Sequence, residues 1–242
     1  MPYRTDKNGV PVFYRQDIEI KAEEVIEYVS PETLTKASIS PLSQISTKFR
    51  EEFGVQFFFE EDLGFTKNGN KILGKFVTEP RSIFVDKSLD FNDPKWSFTL
   101  AHELGHLVLH RKVDISLGNE HYSVFSDTVE QIKVSLVKPW TSHQWLEWQA
   151  NSFASSLLMP REPYIEAFHQ ALSENDNSRN KPYIYLDHQP HNMKLLHDIK
   201  SALISIYQVS SSAMEVRMKE LGLLLDHRPG KIKHAIEFLR EE

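Results

Sequence analysis

The chain has 242 residues and no cysteine, with 40% hydrophobic and 11% aromatic residues. This composition excludes a disordered chain, disulfides and thiolate metal sites, so any zinc must be held by imidazole and carboxylate. The formal charge of −6, from 34 acidic against 28 basic side chains, lacks the basic excess of a nucleic-acid-binding protein, and direct nucleic-acid binding is not expected.

The opening MPYRTDKNGVPVFYRQD is polar and carries no apolar stretch of the kind a secretory signal needs. No apolar run in the chain nears the roughly 18 residues of a membrane span. The expectation is a cytoplasmic protein with no membrane segment. Residues 1–16 read as irregular, broken by Gly9 and Pro11. In DIEIKAEEVIEYVS, the residues Ile18, Ala22, Val25 and Ile26 recur at helical spacing, with Asp17 placed to cap. Ser40 and Pro41 read as the cap and first turn of a second helix through LSQISTKFREEF, ended by Gly54. VQFFFEED, KILGKFV and RSIFVD are short β-rich segments, the first two separated by the turn TKNGNK. They predict a small antiparallel or mixed sheet.

A long amphipathic helix starts at Asp93 and Pro94 and carries HELGH. Residues 113–140 show no clear period. HQWLEWQANSFASSLLMP predicts the next helix, stopped by Pro160, and the polar, turn-rich residues 173–192 read as a surface excursion. Helical segments at 193–207, 211–221 and 230–241 close the chain. With no repeat or linker to divide it, the sequence reads as one α+β domain over 1–242. Residues 1–54 form a mainly helical N-terminal extension and 192–242 a C-terminal helical part.

Positions i and i+4 of a helix share a face, so His102 and His106 can aim ring nitrogens at one ion. Glu103 points beside that ion, where it can take a proton from water. Composition alone would place H-E-x-x-H in about one chain in twenty, so the motif needs context. Gly105 supplies some. A glycine costs a helix about 1 kcal/mol against alanine, and close approach of another element is a usual reason to keep one. His110 continues the series but stands about 12 Å of helix rise from His102, too far to share one ion. It reads as a packed or surface histidine.

A catalytic zinc takes three protein ligands and keeps a fourth position for water. The third ligand is best sought in WLEWQANSFASSLLMP, where Glu147 shares a helical face with Ala150, Asn151, Ala154 and Leu158. That small-residue face could dock at Gly105 and bring the carboxylate to the ion; the alternative is a solvated helix charge. Asn151 either donates a hydrogen bond that orients Glu147 or a ligating histidine, or makes no special bond. The group that would stabilise an oxyanion is left open among His121, Tyr122, His143, Tyr164 and Tyr183. RSIFVD is either an edge strand along which a peptide could lie extended or an ordinary paired strand.

FTLAHELGHLVLH, followed by EWQANSFASSLLMP and later by YQVSSSAMEVRMKELGLL, resembles the ImmA/IrrE family of bacterial metallopeptidases. In that family an E-x-x-A-N-x-F-A-x-x-L-L-M-P segment follows the H-E-x-x-H helix and supplies the third zinc ligand. The likeness runs discontinuously over residues 80–222. It implies a zincin-like metallopeptidase core with a small β-sheet, an HExxH helix and additional helices. His102, His106 and Glu147 would then be the Zn2+ ligands and Glu103 the general base. The resemblance further implies a regulatory zinc endopeptidase whose partner is a protein substrate, such as a helix-turn-helix transcriptional repressor. The 40 residues of 107–146 are long for the family and imply an insertion near the cleft, and 173–192 falls outside its pattern.

Two other functions compete. A DNA-binding or antitoxin-like regulator, with a structural zinc or none, rests on ALISIYQVSSSAMEVRMKELG. That stretch resembles a helix-turn-helix in which Arg217 and Lys219 could meet phosphate, although Glu215 and Glu220 interrupt any basic face. A zinc hydrolase of a non-peptide amide bond would use the same four residues.

Overall fold

In the computed structural model, residues 4–5, 11–66, 69–110, 120–123, 141–175, 181–187 and 189–228 are described. The first helix, α1 (Arg15–Val29), begins two residues before Asp17. Asp17 therefore caps from inside the first turn, its carboxylate accepting the Tyr14 N–H at 2.9 Å. Ile18, Ala22 and Ile26 form the buried stripe that the spacing predicts. Helix α2 (Leu42–Phe53) starts only after Pro41, and the Ser40 hydroxyl is buried without a partner instead of capping it. It ends at Gly54, whose φ of 65° lies in the left-handed region.

The main sheet contains β1 (Gln56–Phe58), β2 (Gly74–Thr78), β3 (Arg81–Val85) and β4 (Glu120–Ser123), in the order β1-β3-β2-β4. β1 runs parallel to β3 and the other pairs are antiparallel, so the sheet is mixed. β3, the RSIFV segment, is hydrogen-bonded on both sides and offers no edge for a peptide. Phe76, Ile83 and Val85 bury the sheet against the molecule's interior.

Helix α3 (Pro94–His110) carries HELGH. Asp93 accepts the Lys95 N–H at its start, and Trp96, Leu100, Leu104, Leu107 and Leu109 are all buried. The helix is apolar around most of its girth because it packs on β2 and β3 and also on α4 (Ser142–Leu158). A reciprocal pair of bonds between Thr141 and Gln144 starts α4, and the helix stops before Pro160 as expected. α1 packs on α4 in turn.

Helix α5 (Arg161–Asn175), strand β5 (Ile184–Leu186), helices α6 (Pro190–Tyr207) and α7 (Ser211–Glu220), and strand β6 (Leu224–Asp226) complete the described chain. β5 and β6 pair in parallel as a separate two-stranded sheet. The stretch 173–192 is thus not wholly irregular. Ile184 and Leu186 are buried with Tyr185 exposed between them, a period of two hidden by polar neighbours on either side. The helix expected at 230–241, and all of 113–140 except β4, lie outside the described residues. Among the described residues no helix is long and apolar enough to cross a membrane.

Arg217 closes the C-terminal helix onto the rest of the molecule. Its side chain is wholly buried, with Nη2 2.5 Å from Glu19 Oε1 and Nε donating to the Met159 carbonyl at the end of α4. Lys219 pairs with Glu215 at 2.6 Å and with Asp226 at 3.5 Å. The two cations that a helix-turn-helix reading would turn toward phosphate are thus engaged within the protein.

Candidate metal centre

Gly105 is where α3 and α4 meet. A Cβ on it would stand 3.1 Å from both Cα and O of Ala150, and 3.2 Å from Cβ of Phe153. A side chain at this position would be tighter than nearly all real contacts, and the bare Cα lets the two backbones come this close without displacing Ala150 or Phe153. Ala150 and Ala154, on the small-residue face of α4, are fully buried at the contact, and this docking carries Glu147 over to the histidines of α3. His102 Nε2 and His106 Nε2 lie 3.0 Å apart. Each is 3.4 Å from a different oxygen of Glu147.

Two ligands held about 2.05 Å from a tetrahedral ion stand about 3.3 Å apart, so this triangle has the dimensions of one face of such a site. Its electrostatics point the same way. Asn151 Oδ1 sits 2.9 Å from His102 Nδ1. A carboxamide oxygen can only accept, so Nδ1 carries the proton and Nε2 turns a lone pair toward Glu147 and His106. Asn151 therefore orients a histidine by accepting a bond, where donation was expected. Electron-rich atoms gathered in this way repel one another unless a cation lies among them. Two imidazoles and a carboxylate, without thiolate, make a donor set that fits zinc.

Glu103 is wholly buried beside this triangle. Its Oε1 rests against the backbone of Gly74 on β2, where an added Cβ would lie 2.5 Å from that oxygen and 2.5 Å from Thr99 Cγ2. Burial, with the negative charge of Glu147 adding to it, raises the Glu103 carboxyl well above the usual carboxylate range. Burial would raise Glu147 too, but with protons on His102 and His106 their hydrogen bonds and charge outweigh it and hold this carboxyl well below that range. With both Nε2 atoms bare, a bound cation would take the place of those protons. Two neighbouring carboxylates pushed in opposite directions suit one to proton transfer and the other to service as a fixed anion.

His110 is buried and packed. Its Nδ1 lies 3.0 Å from His106 Nδ1, and its Nε2 lies 3.2 Å from Gln149 Oε1. Gln149 Nε2 in turn donates to the Pro11 carbonyl at 2.9 Å. Neither Gln149 nor Gly74 stands out in the sequence reading. Gly74 had a signal, since a glycine within a strand marks close approach of another group; Gln149 had none. Among the residues considered for an oxyanion, Tyr164 is buried with its hydroxyl on Met214 Sδ at 2.8 Å. His143 is exposed one turn before Glu147, and Tyr183 is half-buried before β5. The side chains of His121 and Tyr122 lie outside the described part of the structure.

A mixed sheet backing an H-E-x-x-H helix, met by a second helix that brings a carboxylate to the two histidines, is a zincin-like α+β arrangement. Residues 50–219 match the family model Peptidase_M78, described as the IrrE N-terminal-like domain, and the chain belongs to that family. Nine chains of solved structure match it. Among them is a Mycobacterium tuberculosis transcriptional regulator, with a TM-score of 0.50 and 14% identity over 84% of this chain and 55% of that one. This is a likeness of fold, and the chain spans about half the length of that protein. A search of curated proteins found no match.

Proposed function

We propose that this chain is a cytoplasmic, zinc-dependent endopeptidase with a regulatory role, cleaving a protein substrate such as a helix-turn-helix repressor. The observation that carries the reading is the triangle of His102, His106 and Glu147, with Glu103 buried beside it. Membership of a peptidase family supports peptide-bond hydrolysis. In this reading His102, His106 and Glu147 hold the ion. Bound zinc would supply Lewis acidity, lowering the pKa of water toward about 7 and polarising a scissile carbonyl. Glu103 takes the proton of the attacking water and delivers it to the leaving amine. Its seat against Gly74 keeps the carboxylate in one place. Asn151 holds His102 in the tautomer that leaves Nε2 free to ligate.

The internal engagement of Arg217 and Lys219 weighs against the DNA-binding alternative, and absence of a gel shift at low salt would remove it. The direct test of the proposal is coexpression of wild type or Glu103→Gln with helix-turn-helix repressors encoded near its gene, with zinc measured in the purified proteins. The expected result is about one zinc per chain in both, with cleavage by wild type only. A zinc-loaded wild type that leaves repressors intact but turns over small amides would replace this reading with a non-peptide hydrolase.

A further inference from the structure

The chain of contacts behind His106 has a direction, and the Pro11 carbonyl sets it. A backbone carbonyl can only accept, so the end of Gln149 that meets Pro11 at 2.9 Å is the NH2 group. The other end, Oε1, is therefore an acceptor, and His110 Nε2 at 3.2 Å must bring a proton to it. A neutral imidazole has one N–H, so His110 Nδ1 is left with a lone pair. His106 Nδ1, 3.0 Å away, must then be the donor. That leaves His106 Nε2 bare on the side facing His102 and Glu147. The opposite tautomer of His110 would set a lone pair against the Gln149 oxygen and force a proton onto His106 Nε2, where an ion would have to bind.

We propose that Pro11, Gln149 and His110 form a one-way hydrogen-bond chain that fixes the tautomer of His106 and so keeps its Nε2 available to the metal. His110 and Gln149 are positioning residues for the centre, and the segment before α1 belongs to it although it is far away in sequence. The same logic operates on the other ligand, where Asn151 fixes His102 in a single step. His106 needs three steps because His110 and Gln149, both fully buried, lie between it and the carbonyl that sets the sense. The proposal rests on the metal-centre reading given above.

The test uses full-length protein with 15N-labelled histidine. Long-range 1H–15N correlation spectra of the metal-free wild type should show His110 protonated at Nε2 and His106 protonated at Nδ1. Gln149→Met keeps the side-chain length and removes both polar ends. It should fold with a near-normal melting temperature, lose the single His110 tautomer and bind zinc about 10–100-fold more weakly in a chelator competition, the usual cost of losing an outer hydrogen bond at a metal ligand. An Nδ1-protonated His110 in the wild type would overturn the proposal, as would a folded Gln149→Met that binds zinc within twofold of wild type. Failure of the metal-centre reading is distinct: wild type itself would then bind no zinc, and the tautomer of His110 in that same protein would still decide the direction of the chain.

Discussion

Glu103 and Gly74 touch: the carboxylate of one occupies the space where a side chain on the other would begin. Gly74→Ala should therefore push both Glu103 and Thr99, whose Cγ2 lies equally close, off their positions, with His102, His106 and Glu147 still able to hold an ion. Cleavage of the protein substrate should fall by about 100-fold or more, within the range general-base removal costs, while zinc affinity stays near wild type. A parallel measurement of turnover and zinc stoichiometry on the purified variant checks this. Near-normal turnover would mean that the base does not depend on its seat.

Asp86 ties the loop before β2 to the end of β3. It accepts the Leu63 N–H at 2.7 Å and the Ser88 N–H at 3.0 Å, and it pairs with Lys71 at 2.9 Å. Burial pushes its carboxyl up, but these partners outweigh burial and bring it down to about 2. A folded-state pKa below the unfolded value contributes stability that is fully present above pH 4 and is lost as pH falls toward 2. Asp86→Asn should cost about 2 kcal/mol at neutral pH, with the difference from wild type shrinking below pH 4. Urea melts across this range measure it, and a pH-independent difference would contradict the assignment.

The buried pair of Arg217 and Glu19 joins α7 to α1 across nearly the whole sequence. Removing one partner leaves the other with a longer ion pair only, Arg161 at 3.3 Å for Glu19 and Glu220 at 3.8 Å for Arg217. The cost should therefore fall at or below the low end of the about 3–5 kcal/mol of a broken buried pair. Arg217→Met and Glu19→Gln should each lower the melting temperature, and combining them should cost less than the sum. Simple additivity in that double-mutant cycle would show that the pair is not coupled. An unchanged melting temperature for Arg217→Met, alongside altered retention of DNA, would point to a surface role instead.

Much of the centre is legible in the sequence because it is periodic. His102 and His106 share a helical face by spacing alone, and Gly105 announces a close neighbour before that neighbour is known. The row of Ala150, Ala154 and Leu158 identifies the surface that fits there, which is why Glu147 can be singled out from other glutamates. Gly74 and Gln149 are harder to find, for a physical reason. Their roles depend on which atoms they face after the sheet and the N-terminal segment have folded onto α3 and α4, and no local period encodes that. The direction of the Asn151 bond is similar: either end of a carboxamide can meet a ring nitrogen, and only the fold selects the oxygen. Strand β3 reads as β from its composition, but its interior place in the sheet comes from the later return of the chain between β1 and β2. The parallel pairing of β5 with β6 is equally non-local.

The central claim is that Glu147 completes a metal site begun by the two histidines, and zinc stoichiometry and affinity of wild type beside Glu147→Ala test it most directly. The expected result is about one zinc per chain for wild type. For the variant, affinity should fall by more than the roughly 10–100-fold that a lost outer hydrogen bond costs, with the fold intact by circular dichroism. Equal zinc affinity in the two proteins would contradict the account.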